Sequence, residues 1–80
     1  MVQKILPIQC KMARVAVGMG VRELASAADV STDTIARLER GESLKDSTLA
    51  AIRAALEAAG VEFIPENGGG AGVRLRKGGM

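Results

Sequence analysis

Between residues 32 and 37 stand four polar side chains, Thr32, Asp33, Thr34 and Arg37, with apolar Ile35 and Leu38 set among and after them. On a helix, positions three or four apart share a face, so Ile35 and Leu38 turn inward and the polar four are left outward. Hydroxyls and a carboxylate near the start of a helix, with a long cation one turn later, suit the reading of base edges by hydrogen bonds. Other chemistry finds little support. The chain has no histidine, so nothing completes a histidine-containing zinc site or activates Cys10 as a nucleophile. Cys10 sits among apolar residues and is expected to be a small buried hydrophobe. The glycine run 68–70 lacks the Gly-Lys-Ser/Thr ending of a phosphate loop and precedes no helix. No pair of carboxylates marks a pocket, and little chain is left over to build one. No enzyme, no metal and no cofactor are expected.

The polar four must be positioned by the elements around them, and the spacing predicts four helices. The first begins at Pro7, a residue tolerated at the first helical position, and ends near Gly18. Its densest apolar stripe is Ile8, Met12, Val15 and Met19, widened by Cys10, Ala13 and Val17. The second runs from Val21 to Ala28 with Leu24, Ala25 and Ala28 inward, and Asp29-Val30 makes a tight connection. The third has the clearest start: Ser31 as N-cap, Asp33 in the first turn, and Val30 with Ile35 as a hydrophobic staple, before Gly41 ends it. After a turn holding Leu44, Asp46 or Ser47 caps a fourth helix to Ala59, with Leu49, Ile52, Ala55, Leu56 and Ala59 as its apolar face. Beyond Gly60 the period falls to two. Val61-Glu62-Phe63-Ile64 and Val73-Arg74-Leu75-Arg76 read as strands joined by Pro65-Glu66-Asn67 and glycines, pairing within one chain or across two. The expected architecture is an all-α, compact four-helix domain over residues 1–59, with a short strand-like appendage over residues 60–80.

At 80 residues the chain is near the lower limit for a self-sufficient core, and its only aromatic is Phe63. Short chains gain stability from staples, metals or partner subunits. With one cysteine there is no internal disulfide, so self-association is the remaining device and a homodimer is expected. Eleven Lys and Arg against nine Asp and Glu leave a net charge of +2, compatible with a polyanionic partner without demanding one. No run approaches the ~20 apolar residues of a membrane span, and Pro7, Gln9 and Lys11 interrupt any signal-peptide core. A cytoplasmic location is expected.

Two short helices joined by a tight turn can brace one helix on a nucleic-acid backbone while the other enters the major groove, about 12 Å wide. Here residues 10–59 resemble the Xre, or Cro/cI repressor, family of bacterial and phage helix-turn-helix regulators. The resemblance is carried by Arg14, by Gly18 closing the first helix, and by the run RELASAADVSTDTIARLERGES. Within that run Glu23-Leu24-Ala25, Val30-Ser31, Ile35, Leu38-Glu39 and Gly41 stand at the family's places. It implies a lambda-repressor-like fold and a sequence-specific DNA-binding regulator.

Position by position, the resemblance implies base contacts for Thr32, Asp33 and Arg37, and a base or phosphate contact for Thr34. Arg37 is suited to a bidentate contact with guanine, and Asp33 to accepting from a cytosine amino group. Arg14 and Glu39 match a partly buried ion pair that links the first and third helices in the family. Arg40 serves either a phosphate or the helix dipole. Lys11, Arg22 and Lys45 are candidate phosphate anchors, with plain solubility as the competing role. The chain departs from the family at Gly20 and Val21, where a polar cap and a phosphate-anchoring glutamine are usual; Arg22 is the candidate substitute. It also lacks the fifth helix through which many members dimerise. Some relatives, antitoxin types among them, pair through terminal strands, so Val61, Phe63, Ile64, Val73 and Leu75 become the expected dimer contacts. The expectation is a repressor on a palindromic, two-fold symmetric operator in double-stranded DNA. Its rival is an antitoxin or anti-activator whose tail binds a protein partner through the same apolar residues. Arg74, Arg76 and Lys77 read as a solvated strand face or disordered end in preference to a minor-groove contact.

Overall fold

A computed structural model describes residues 4–76, so Lys77 of the basic tail lies outside the described residues. Helix α1 covers Pro7–Ala16, α2 Val21–Ala28, α3 Thr32–Glu39 and α4 Asp46–Ala58, followed by strands β1 Val61–Ile64 and β2 Gly72–Leu75. Four helices with a terminal two-stranded hairpin match the architecture the spacing predicts.

The first three helices end by one device. A residue past the end takes a left-handed backbone, and two amides turn back to satisfy carbonyls of the last turn. Gly18 (φ 72°) does this for α1, with its N–H on Val15 O at 3.1 Å and Met19 N–H on Arg14 O at 2.8 Å. Gly41 (φ 91°) does it for α3, with bonds to Leu38 O at 2.9 Å and from Glu42 N–H to Arg37 O at 3.0 Å. Between α2 and α3 the left-handed residue is Asp29 (φ 59°), which carries a side chain where glycine would be unstrained. At the start of α3, Ser31 Oγ accepts from Thr34 N–H at 3.0 Å, the cap expected there. Helix α4 differs from expectation: its N-cap is Lys45, with no side-chain cap bond, and Asp46 is its first helical residue. The Asp46 carboxylate pairs outward with Lys4 at 3.1 Å instead.

Ile5, Cys10, Ala13, Leu24, Ala25, Ala28, Ile35, Leu38, Ile52, Leu56 and Val61 form the buried core. On α1 the expected stripe is corrected. Ile8 and Val15 are 56% and 65% exposed, while Gln9, Cys10 and Ala13 are buried. The helix is apolar on several sides, so spacing alone does not fix its rotation; small Cys10 and Ala13 face inward, where α3 approaches closely. Ala59 falls past the end of α4 as its exposed C-cap residue.

The strands pair antiparallel within one chain, Val61 opposite Leu75, Glu62 opposite Arg74, Phe63 opposite Val73 and Ile64 opposite Gly72. The hairpin is fixed to the helices twice. Val61 is sunk in the common core, and buried Gln9 reaches across from α1. Gln9 Nε2 donates to Ile64 O at 3.2 Å and Gly72 O at 3.0 Å, while its Oε1 accepts from Leu6 N–H at 3.0 Å. A buried amide with all these groups satisfied holds the mouth of the hairpin on the first helix.

Candidate nucleic-acid interface

Which side of α3 faces outward is decided by what it buries. Ile35 and Leu38 are in the core, and Glu39 is tied to α1 by a two-pronged ion pair. Arg14 Nε donates to Glu39 Oε2 and Nη2 to Oε1, each at 2.9 Å, and Nη1 reaches Met19 O at 3.3 Å. Both side chains are 14% exposed. The hydrogen bonds from Arg14 hold the Glu39 carboxyl below its ordinary range, and the same bonds raise the guanidinium. Cys10 adds a third donor, its Sγ 3.4 Å from Glu39 Oε2. Burial first, then the Glu39 charge, pushes this thiol up to about 12, so at neutral pH it remains a protonated donor.

With that face locked, Asp33 stands exposed on the opposite side, and Thr32 is exposed at the amino-terminal end of the helix. Thr34 is half-buried, its hydroxyl 2.8 Å from Ser31 Oγ. The Arg37 side chain is 42% exposed and donates through Nε to Glu42 Oε1 at 3.0 Å. Arg40 grips the other oxygen of the same carboxylate, with Nε at 3.0 Å and Nη2 at 2.8 Å from Oε2. Hydrogen bonds from Arg40, then from Arg37, hold the Glu42 carboxyl below its ordinary value. Beside this cluster runs a shallow groove lined by Ser31, Thr34, Arg37, Ser43, Lys45 and Thr48, together with apolar Val30 and Leu44. The fold therefore gathers Thr34, Arg37 and Lys45 at one groove and joins Arg40 to Arg37 through Glu42. Arg22 is exposed in the first turn of α2, where Glu23 Oε1 accepts from Gly20 N–H at 2.9 Å.

The hairpin residues are placed differently from one another. Val61 is 1% exposed and offers no surface to a second chain. Phe63 and Val73 pack against the core, with the Arg53 guanidinium 5.0 Å over the Phe63 ring. Ile64 is half-buried, and Leu75 is 50% exposed. Arg74 is paired across the strands with Glu62 at 2.7 Å, and Arg76 donates to Glu57 O at the end of α4.

Gln9, Glu42 and the Ser43 and Thr48 hydroxyls escaped the sequence reading. A signal for Glu42 was present: in the run Arg37-Leu38-Glu39-Arg40-Gly41-Glu42, a glycine-terminated helix folds the next residue back beside the last turn. Gln9 carries no such mark. Among the described residues, no cluster of His, Cys, Asp and Glu could hold a metal ion, and no helix is long and apolar enough to cross a membrane. A family model described as helix-turn-helix, of the Cro/cI and Xre-like type, matches residues 11–63, more than half of the chain. That family comprises DNA-binding regulators and is not an enzyme family. No curated protein matches the sequence significantly.

Proposed function

The chain belongs to the Cro/cI-type helix-turn-helix family and is a DNA-binding transcriptional regulator; from that premise we propose that it is a repressor that grips a two-fold symmetric operator as a homodimer. The observation that carries this reading is the polarity of α3. Its apolar side chains and Glu39 are committed to the protein, while Thr32, Asp33 and Arg37 stand out from it. In the proposed complex α3 lies in the major groove and α2 crosses the backbone. Arg37 reads guanine and Asp33 accepts from a cytosine amino group, each contact contributing roughly 1–3 kcal/mol of discrimination. Lys45 and Arg40 meet phosphates on either side, with Arg22 from α2. Support for a phosphate beside Lys45 comes from the groove it shares with Thr34 and Arg37 of α3.

Dimerisation is supported by the apolar surface one chain leaves uncovered. Leu6, Ile8, Val15 and Leu75 are large hydrophobics exposed by 44–65%. Two subunits would place their α3 helices in successive major grooves, about 34–36 Å apart, and occupancy would block polymerase.

Selection of bound duplexes from a random pool tests the reading directly. The expected product is a pair of inverted half-sites one helical turn apart. Arg37→Ala should relax preference at one guanine position while leaving the fold, read by circular dichroism, intact. Sequences recovered at random, or an unchanged preference in the variant, would refute the assignment of α3.

A further inference from the structure

Arg37 is not free in the absence of DNA, and the way it is held has a consequence for how it reads. Its contact with Glu42 uses Nε alone, at 3.0 Å. Among the described residues its two terminal amino groups have no hydrogen-bond partner, and these form the fork that matches O6 and N7 of guanine. Arg40 is held otherwise: Nε and Nη2 both close on Glu42 Oε2, at 3.0 and 2.8 Å, so that guanidinium presents less of its donor edge. The carboxylate itself is fixed by backbone geometry. Gly41 turns left-handed at φ 91°, and Glu42 N–H bonds back to Arg37 O at 3.0 Å, setting Glu42 beside the cation it holds.

We propose that Glu42 is a positioning and specificity-determining residue: it orients Arg37 so that the terminal amino fork faces a guanine edge, and its charge keeps phosphate oxygens from taking that cation. The inference rests on the reading of α3 as the element that meets base edges. A lone arginine on a helix binds phosphate as readily as base and must order a long side chain to do either. An anion bonded at Nε removes part of that freedom before DNA arrives, and a fork already aimed loses less entropy on binding. The same anion repels the backbone, so non-specific binding weakens while guanine recognition is kept.

The experiment is a double-mutant cycle read on DNA. Wild type, Arg37→Ala, Glu42→Ala and the double variant are titrated against the selected operator, the operator with its Arg37-dependent guanine replaced, and an unrelated duplex. A fold check by thermal melting accompanies each, and Glu42→Asp provides a conservative rescue. Glu42→Ala should cut discrimination at that guanine by about tenfold, within the range of one bidentate contact. It should strengthen binding to the unrelated duplex, and it should have no further effect on discrimination when Arg37 is already alanine. Glu42→Asp should recover part of the discrimination. If Glu42→Ala keeps full guanine discrimination, the positioning role is overturned while the recognition helix stands. If Arg37→Ala itself leaves preference unchanged, both fall together.

Discussion

Glu39 accepts hydrogen bonds from two side chains, Arg14 and Cys10, at the contact between α1 and α3. Removing its carboxylate strands a guanidinium that is 14% exposed, and breaking a largely buried pair in this way costs about 3 kcal/mol. Glu39→Ala should therefore lower the urea midpoint strongly, and a loss under about 1 kcal/mol would mean that solvent already satisfies Arg14. The sign of the pH dependence follows from the lowered carboxyl. Because the folded group releases its proton more readily than its ordinary value of 4.5, its contribution is present above that pH. It is lost as pH falls from 4.5 through the lower folded value, so the stability gap between wild type and Glu39→Gln should close in acid. At this scale the sequence was partly legible. Family resemblance points to the Arg14–Glu39 pair, whose atoms lie 2.9 Å apart, but nothing in the sequence points to the Cys10 contact with it. Gln9 was invisible because a glutamine inside an amphipathic helix reads as solvent-facing; only the docked hairpin supplies the carbonyls that bring it inside.

The elements are joined by turns whose cost can be read from single residues. Asp29 is the one non-glycine residue with positive φ among those described, at 59°, and it closes the turn that gives α2 and α3 their relative angle. Left-handed backbone costs an ordinary residue about 1–2 kcal/mol, less for aspartate, and glycine nothing. Asp29→Gly should stabilise the fold by up to about 1 kcal/mol, a rise of roughly 4–8 °C in Tm for a domain of this size. A fall in Tm would show that the lost side chain, or the added freedom of the unfolded chain, outweighs the relieved strain. Glycine stops at Gly18, Gly41 and Gly60 were readable before the structure, as was the Ser31 cap, because each answers a local backbone requirement. The rotation of α1 was not. Its apolar residues lie at helical spacing on two overlapping faces, and tertiary contacts with Glu39 and the hairpin choose between them. The end of α4 was read one residue too long for a similar reason, since nothing in Ala58-Ala59 distinguishes a last helical residue from a cap.

For the whole molecule, the open question of strand pairing is answered within one chain: β1 meets β2 of the same subunit, and the loop between them holds itself by Glu66 accepting from Gly68 and Gly70 N–H. The proposed dimer must then use what the hairpin and α1 leave outside. Leu75 is half-exposed on β2 and shares a face of the hairpin with its cross-strand partner, core residue Val61, so its outer half extends the core's apolar face to where a second chain could cover it. Leu75→Asp should lower the melting temperature modestly, since the carboxylate lies beside Val61, yet leave the helices folded by circular dichroism and shift sedimentation from dimer toward monomer at micromolar concentration. Its effect on DNA follows from linkage between sites. A dimer delivers its second recognition helix at high effective concentration, and losing that linkage weakens binding to a complete operator by about a hundredfold or more. Binding to an isolated half-site depends on one subunit alone and should be untouched. Equal loss on both duplexes would mean that Leu75 supports the fold or the DNA contact itself. A wild-type chain that sediments as a monomer, and covers one half-site at full affinity, would remove the two-fold operator from the proposal while leaving α3 as the reader.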